Sequence, residues 1–434
     1  MSRMMIAEAK QQGQGTVNLA GWARNLRVHK GLVFVDLRDL SGQMQLVVLE
    51  ANEAAFLEAS KLTLESVIAV SGTLQEKPAK KGDDSGIKDY ELLVESLEIL
   101  SLAQEGLPIP VLTKADNEAD IDLRFDNRQL DLRQEEKQLI FKTWSKMEEG
   151  FREEFSRLGF MQIYTPCLMS TSSETGADVF EVKYFDRKAY LSQSPQFYKQ
   201  MAIASGLEKV FMVGPVFRAE KSFTTRHVTE FTGWDFEFAF IDSHHDIMDV
   251  EEKLLVNGFK KIKEDLNLDI EVPTQPFPRI TLADVKVKLK AAGVTSEKEG
   301  DLSPEEEREI CRLIKEETGH DFIFVTDYPA ETRAFYHMRY PGTDTTKSFD
   351  LLYRGVEITT GAQREHRVDV LEKQALEKGM NLEELKDYIN FFRFGCPPHG
   401  GVGIGPARLI MKILDLASVK EACFLPRDVR RLIP

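Results

Sequence analysis

No run of about 18 apolar residues, the length a helix needs to cross a bilayer, occurs anywhere in the 434-residue chain. Its start, MSRMMIAEAK, has no apolar core of signal-peptide length, so a cytoplasmic protein is expected. Only four cysteines are present, Cys167, Cys311, Cys396 and Cys423, widely spaced and without a Cys-x-x-Cys pair. That spacing excludes a disulfide framework and a zinc knuckle, and leaves four reduced structural thiols as the expectation. The His244–His245 pair has no third ligand beside it in the sequence and is expected at the surface. An excess of positive charge is missing as well. A net charge of -15 disfavours indiscriminate nucleic-acid binding, though not a local basic face. Residues 1–38 provide a hint of one: Arg3, Lys10, Arg24, Arg27, Lys30 and Arg38 stand against only Glu8 and Asp36.

What is present is an ordinary globular composition, 42% hydrophobic and 29% charged, with room for two cores. Between about residues 15 and 100 lie five β-like runs, TVNLAGWARNLR, LVFVDLRD, QMQLVVLE, SVIAVSGTLQ and DYELLVESLEIL. One helical segment, 51–62, follows the third, which is the order of an oligonucleotide-binding barrel. The predicted organisation is a barrel over 1–103, a linker rich in proline and acid over 104–125, and a second domain over 126–434. That second domain opens on a helical stripe at 140, 144, 147, 151, 155 and 158 that Gly159 can cap. Strands in mostly hairpin arrangement follow, so an α+β domain is predicted, a largely antiparallel sheet flanked by helices rather than a Rossmann fold. The Lys- and Glu-rich stretch 243–320 is expected to be a helical insertion outside the core sheet.

The chemistry concentrates in VFRAEKSFTTRHVTEF, where Arg218, Glu220, Arg226 and His227 lie between two apolar strands. On the strand that follows, period-two alternation puts Trp234, Phe236, Phe238 and Phe240 on one face and Phe231, Gly233, Asp235 and Glu237 on the other. A half-solvated antiparallel sheet alternates in the same way. Position favours more: cations at one end, then a ring, then acids, could hold a triphosphate, a base and an ammonium group. In SFDLLYRGVEITTGAQREHR, Asp350 and Glu357 bracket an apolar strand and can hold Mg²⁺ through phosphate oxygens. Strict alternation would put them on opposite faces, so a shared ion requires a bulge, expected at Gly355. Near the C-terminus GGVGIGPARLIMKIL turns a glycine-rich strand into a helix with Arg408 in its first turn.

Taken in order, the helix ending in GFMQIYTP, the stretch FRAEKSFTTRHVTEF, and GIGPAR resemble the three motifs of class II aminoacyl-tRNA synthetases. The resemblance spans essentially the whole chain and is close to the aspartyl group of the archaeal and eukaryotic type. SSETGADVFEV resembles that group's mobile loop over the amino acid, LSQSPQFYKQM its QSPQ segment, and YRGVEITTGAQREH its side-chain specificity region.

The resemblance implies ligation of L-aspartate to tRNA-Asp, and in some members also to tRNA-Asn, through an aspartyl-adenylate made from ATP with Mg²⁺, in a homodimer with Pro166 near the subunit contact. It implies that Arg218 holds the α-phosphate, that Arg226 and Arg408 hold the β- and γ-phosphates with His227 nearby, and that Phe231 and Arg408 sandwich the adenine, whose amino group Glu220 accepts. Asp350 and Glu357, with Thr360 beside them, would hold the metal. Arg364 would pair with the aspartate side chain and Lys199 would add a second cation, while Gln196, Asp235 and Glu174 would address the substrate's backbone groups. In the barrel, Phe34 would stack on an anticodon base that Arg27 and Gln45 read; without the family, a core ring is the alternative for Phe34.

Some positions depart from the family pattern: Thr175 for glycine in the mobile loop, Thr360 for serine, and Pro406-Ala407 for Leu-Glu in the third motif, which removes a partner for nearby arginines. The alternatives are an asparaginyl-tRNA synthetase and a non-catalytic RNA-binding paralogue; the latter would be expected to lose phosphate-binding arginines or metal acids, all of which are present.

Overall fold

The computed structural model describes residues 2–77, 89–111, 118–171, 179–295 and 298–434. Two compact units divide at Gln134, so the first reaches past the expected linker. Among the described residues no helix is long and apolar enough to cross a membrane.

The first unit begins with α1 (Ile6–Gln12), then β1 (Gly15–His29), β2 (Leu32–Asp39), β3 (Gly42–Leu49), α2 (Glu53–Ala59), β4 (Val67–Glu76) and β5 (Tyr90–Ser101). The strands close in the order β1-β2-β3-β5-β4, the five-stranded barrel expected from the spacing of the runs. Alternate residues such as Val33, Val35 and Leu37 fill its interior. Two short helices, α3 (Ile121–Asp126) and α4 (Arg128–Asp131), complete the unit. Buried ion pairs explain why it extends that far. Arg38 donates to Glu65 at 2.9 Å, Arg133 donates to the same carboxylate oxygen at 3.0 Å, and Arg38 donates again to the Arg133 carbonyl.

The second unit opens with α5 (Glu135–Arg157), whose predicted stripe is real: Ile140, Met147, Phe151 and Phe155 are buried, and Gly159 takes a left-handed φ of 78°. There follow β6 (Met161–Gln162), β7 (Leu168–Met169), β8 (Glu181–Tyr184), β9 (Arg187–Leu191), α6 (Gln196–Ala204), β10 (Lys209–Phe217), β11 (Glu230–Ala239) and α7 (His244–Leu266). Next come β12 (Arg279–Thr281), α8 (Leu282–Ala291), α9 (Pro304–Thr318), β13 (Phe322–Thr326), β14 (Ser348–Tyr353), β15 (Val356–Arg364), α10 (Val368–Glu377), α11 (Lys386–Phe392), β16 (His399–Ile404) and α12 (Pro406–Ile413). Eight strands form one mainly antiparallel sheet, β12-β13-β14-β15-β16-β11-β10-β6. Trp234, Phe236 and Phe238 from β11 pack with α5 and α7 residues in one core.

Three expectations are corrected. The stretch 243–320 is not outside the core: Met248, Leu254, Leu255 and Phe259 of α7 lie in the main core, and β12 pairs with β13 in the sheet. Their apolar residues recur at helical spacing, which high Lys and Glu content masks. Phe240 leaves the strand's apolar face: it follows the end of β11 at φ 60° and is exposed. In the same corner His244 is buried, not at the surface, because it starts α7 against the ring of Phe349.

Candidate active site

On the sheet face opposite the aromatic core lies a cavity of about 440 Å³. The alternation of β11 builds its floor: Phe231, Gly233 and Asp235 line it while Trp234 and Phe236 point into the core. Gln196, Arg364, Glu357, Thr360 and Arg408 also line it, and so do Arg218, Glu220, Arg226 and His227 from the 218–229 connection.

At one end, charge is buried and paired. Arg364 donates from Nε to Glu237 Oε1 at 3.0 Å and from a terminal nitrogen to the Gly401 carbonyl at 2.9 Å. Gly401 has to be glycine here, since a Cβ would stand 2.0 Å from the Phe236 carbonyl oxygen. Burial alone would push the Glu237 acid up, but Arg364 and then Lys199 hold it below its ordinary value. Lys199 does not stand as a free second cation. Its ammonium donates to Asp235 Oδ2 and to the Val402 carbonyl, both at 2.7 Å, and lies 3.4 Å from Glu237. A buried ammonium demands such partners, and they consume its donors. Gln196 spends its amide Nε2 on Gln200 Oε1 at 3.0 Å, which leaves its own Oε1 as an acceptor. Glu174 and Thr175 lie outside the described residues.

The other end gathers cations around a ring. The Arg218 guanidinium sits 5.5 Å from the Phe231 ring centre, and its nearest approach to Glu220 is 4.0 Å. Arg226 is paired with Glu307 of α9 at 2.5 Å. Arg408, in the first turn of α12 behind Pro406, donates to the Glu357 carbonyl at 3.0 Å and lies 3.6 Å from its carboxylate. That pairing supplies the anchor which Ala407, in place of glutamate, does not. His227 Nδ1 lies 2.6 Å from Thr224 Oγ1; burial and then Arg408 lower its pKa, favouring the neutral ring.

The carboxylates Asp350 and Glu357 do not bracket one strand. They lie on two, joined by a tight turn in which Arg354 (φ 46°) and Gly355 (φ 80°) are both left-handed. The bulge is at Ile358 rather than Gly355: Leu351 faces Thr359 whereas Leu352 faces Glu357. The extra residue brings Glu357 onto the face shared by Asp350 and Thr360, and Thr360 donates to Glu357 at 3.2 Å. Asp350 itself is buried. Arg333 donates to its Oδ2 at 2.6 Å, and its Oδ1 has no hydrogen-bond partner. Burial pushes the Asp350 acid up, Arg333 opposes, and the Glu357 carboxylate adds to the rise. Oxygen donors that repel one another fit a hard divalent cation.

On the barrel, Phe34 sits on the outer face between the inward-pointing Val33 and Val35, so it is not a core ring. Arg27 lies 5.7 Å from its ring centre and donates to Gln45 at 3.0 Å and Asp36 at 3.1 Å; Gln45 donates to Glu91 at 2.7 Å. The structure therefore brings Arg27, Phe34 and Gln45 together.

Arg333, His337 and Glu307 stand outside the set of residues expected from the sequence. The first two sit in a loop segment without periodicity, and both line the cavity. Glu307 left a signal: it falls on the same helical stripe as Ile310, Cys311 and Ile314, where an acid is out of place.

Residues 120–429 match the family described as tRNA synthetases class II (D, K and N), and residues 17–100 match an OB-fold nucleic acid binding domain. The chain is 42% identical over 425 residues to the aspartate–tRNA(Asp) ligase of Picrophilus torridus, spanning 96% of this chain and 97% of the relative. The chain belongs to the archaeal-type aspartyl-tRNA synthetases of class II. To the aspartate–tRNA(Asp/Asn) ligase of Methanopyrus kandleri this synthetase is 40% identical over 427 residues, 96% of each chain. Among solved structures it is similar to the asparaginyl-tRNA synthetase of Pyrococcus horikoshii complexed with asparaginyl-adenylate, with a TM-score of 0.89, 33% identity and full coverage of both chains.

Proposed function

We propose that the chain activates L-aspartate with ATP and transfers it to the 3′-terminal adenosine of tRNA-Asp. One observation carries the reading: a single cavity has Arg218, Arg226 and Arg408 toward one end and the buried Arg364 at the other. The first group suits a triphosphate, the second a side-chain carboxylate.

The substrate's α-carboxylate, already ionised at neutral pH, attacks the α-phosphorus of ATP. An acyl–phosphate bond forms, the α–β bridging bond breaks, and pyrophosphate leaves with the bond's electrons. No protein nucleophile is needed, so the residues align and neutralise. Arg218 is assigned to the α-phosphate, Arg226 and Arg408 to the β- and γ-phosphates, and Phe231 to the adenine ring with Glu220 at its amino group. The uncharged His227 ring adds a hydrogen-bonding edge near the phosphates. Asp350, Glu357 and Thr360 would hold Mg²⁺, which supplies charge neutralisation on phosphate oxygens. Gln196 Oε1 and Asp235 are assigned to the substrate ammonium; Lys199 acts by fixing Asp235. Arg364 keeps one terminal nitrogen beyond its two protein bonds for the substrate side chain. A neutral asparagine amide there would leave that buried cation less compensated.

For tRNA, Phe34 offers a stacking face, with Arg27 and Gln45 as polar readers of an anticodon base. The chain is proposed to act in the cytoplasm as a homodimer. The exposed apolar residues Met161, Tyr164 and Leu168 around Pro166 support an interface there.

The test is aminoacylation with labelled aspartate, and in parallel asparagine, on tRNA-Asp and tRNA-Asn transcripts with ATP and Mg²⁺. Aspartate on tRNA-Asp is expected. Aspartate on both tRNAs would make the enzyme non-discriminating. Asparagine on tRNA-Asn, the second reading suggested by the likeness to the P. horikoshii enzyme, would overturn the substrate assignment.

A further inference from the structure

Arg226 and Arg408 come from segments far apart in the chain, yet both connect to the backbone of Glu357, Arg408 directly and Arg226 through Glu307. Arg408 donates to the Glu357 carbonyl at 3.0 Å. Glu307 Oε2 accepts from Arg226 at 2.5 Å and from the Glu357 backbone N–H at 3.4 Å. Glu307 projects from α9 and is nearly buried, so it is a fixed post and not a mobile surface acid. Arg226, by contrast, sits on the 218–229 connection between β10 and β11. The connection's own backbone anchor near Arg226 is the Thr225 carbonyl, accepting from the Val419 N–H at 2.9 Å.

A guanidinium has five N–H groups in a rigid fork, so an acid can hold one of its edges while another edge stays open. Arg226 remains part of the cavity lining while bound to Glu307. Without that post its long side chain would have to be ordered at the moment of binding, at a cost of up to about tenfold in affinity.

We propose that Glu307 is a positioning residue for ATP, holding Arg226 over the cavity and tying it, through Glu357, to Arg408. The inference rests on the reading of this cavity as a triphosphate site. Its target is the β- and γ-phosphates, not the adenosine or the α-phosphate, which Phe231 and Arg218 serve. Glutamine at position 307 retains an oxygen that accepts both N–H groups; alanine retains nothing.

The experiment is calorimetric titration of ATP and of AMP, each with Mg²⁺, into the full-length wild type, Glu307→Ala, Glu307→Gln, Arg226→Ala and the double Ala variant. Glu307→Ala is expected to weaken ATP about tenfold and leave AMP within twofold, and Glu307→Gln to recover most of the loss. Adding Glu307→Ala to Arg226→Ala should cost ATP nothing more. The proposal is overturned if Glu307→Ala leaves ATP unchanged or tightens it, if ATP and AMP weaken together, or if the two substitutions add. Should the wild type itself bind ATP no tighter than AMP, the triphosphate reading falls and the inference with it. If the wild type prefers ATP and Glu307→Ala keeps that preference, only the inference falls.

Discussion

Arg364 Nε donates to Glu237 Oε1 at 3.0 Å, and neither side chain is more than 3% exposed. A buried pair of this kind cannot lose one member cheaply, because the other is left charged in a medium that solvates it poorly. The residue proposed to read the substrate side chain is therefore also part of the fold.

Replacing Arg364 with Leu is expected to abolish aspartate-dependent pyrophosphate exchange and to destabilise the protein by about 3 kcal/mol. Adding Glu237→Gln should restore part of the melting temperature and none of the exchange. Scanning calorimetry and exchange assays on the single and double variants check both halves. A single variant as stable as wild type would contradict the pairing.

Glu251 of α7 is wholly buried, and burial pushes its acid up to about 8 from an ordinary 4.5. A raised acid holds its proton more tightly in the fold than in the unfolded chain. Stability should therefore fall as pH rises from about 4.5 through 8, by at most about 1.4 kcal/mol per pH unit from this group. Glu251→Gln, which is always neutral, should flatten that decline. Melting temperatures across pH 5 to 9 measure it; parallel curves for the two proteins would refute the assignment.

The half-buried Phe34 ring on the outer face of the barrel predicts a separation of functions. Phe34→Ala removes a stacking face that is typically worth about 1–3 kcal/mol per base, so the KM for tRNA should rise about tenfold or more. Exchange without tRNA should stay at the wild-type rate. Loss of both activities would mean that the ring is structural.

Chelation of divalent cations is expected to stop exchange, with Mg²⁺ restoring it. Asp350→Asn removes one candidate oxygen ligand and the acid that Arg333 holds at 2.6 Å. The Mg²⁺ concentration giving half-maximal exchange should rise severalfold. A titration identical to wild type would remove Asp350 from the metal site.

Much of this site was legible from order and spacing. Phe231, Gly233 and Asp235 alternate on β11, and a strand has only two faces, so period two alone placed them together. The long helix was equally readable from Ile140 to Phe155. Three features were not. The bulge at Ile358 leaves no mark in a run of Glu, Ile and Thr, because it is set by how β14 and β15 pair. The core role of α7 was hidden because its many lysines and glutamates mask the apolar stripe, and two of the glutamates, Glu251 and Glu252, are themselves buried. Lys199 looked like a free cation because nothing in the sequence places Asp235 within 2.7 Å of it.

The sequence by itself determined the two-part organisation, the family and the chemical types available: arginines, carboxylic acids and an aromatic ring in a fixed order. These follow from local pattern and residue chemistry, which are properties of the unfolded chain. Only the tertiary structure decided which charge is spent on the protein and which is left for substrate. Lys199 is consumed by Asp235, Arg364 is half used by Glu237, and Arg226 is held by Glu307. A buried charge must find its partner across the fold, and partners far apart in sequence are chosen by packing.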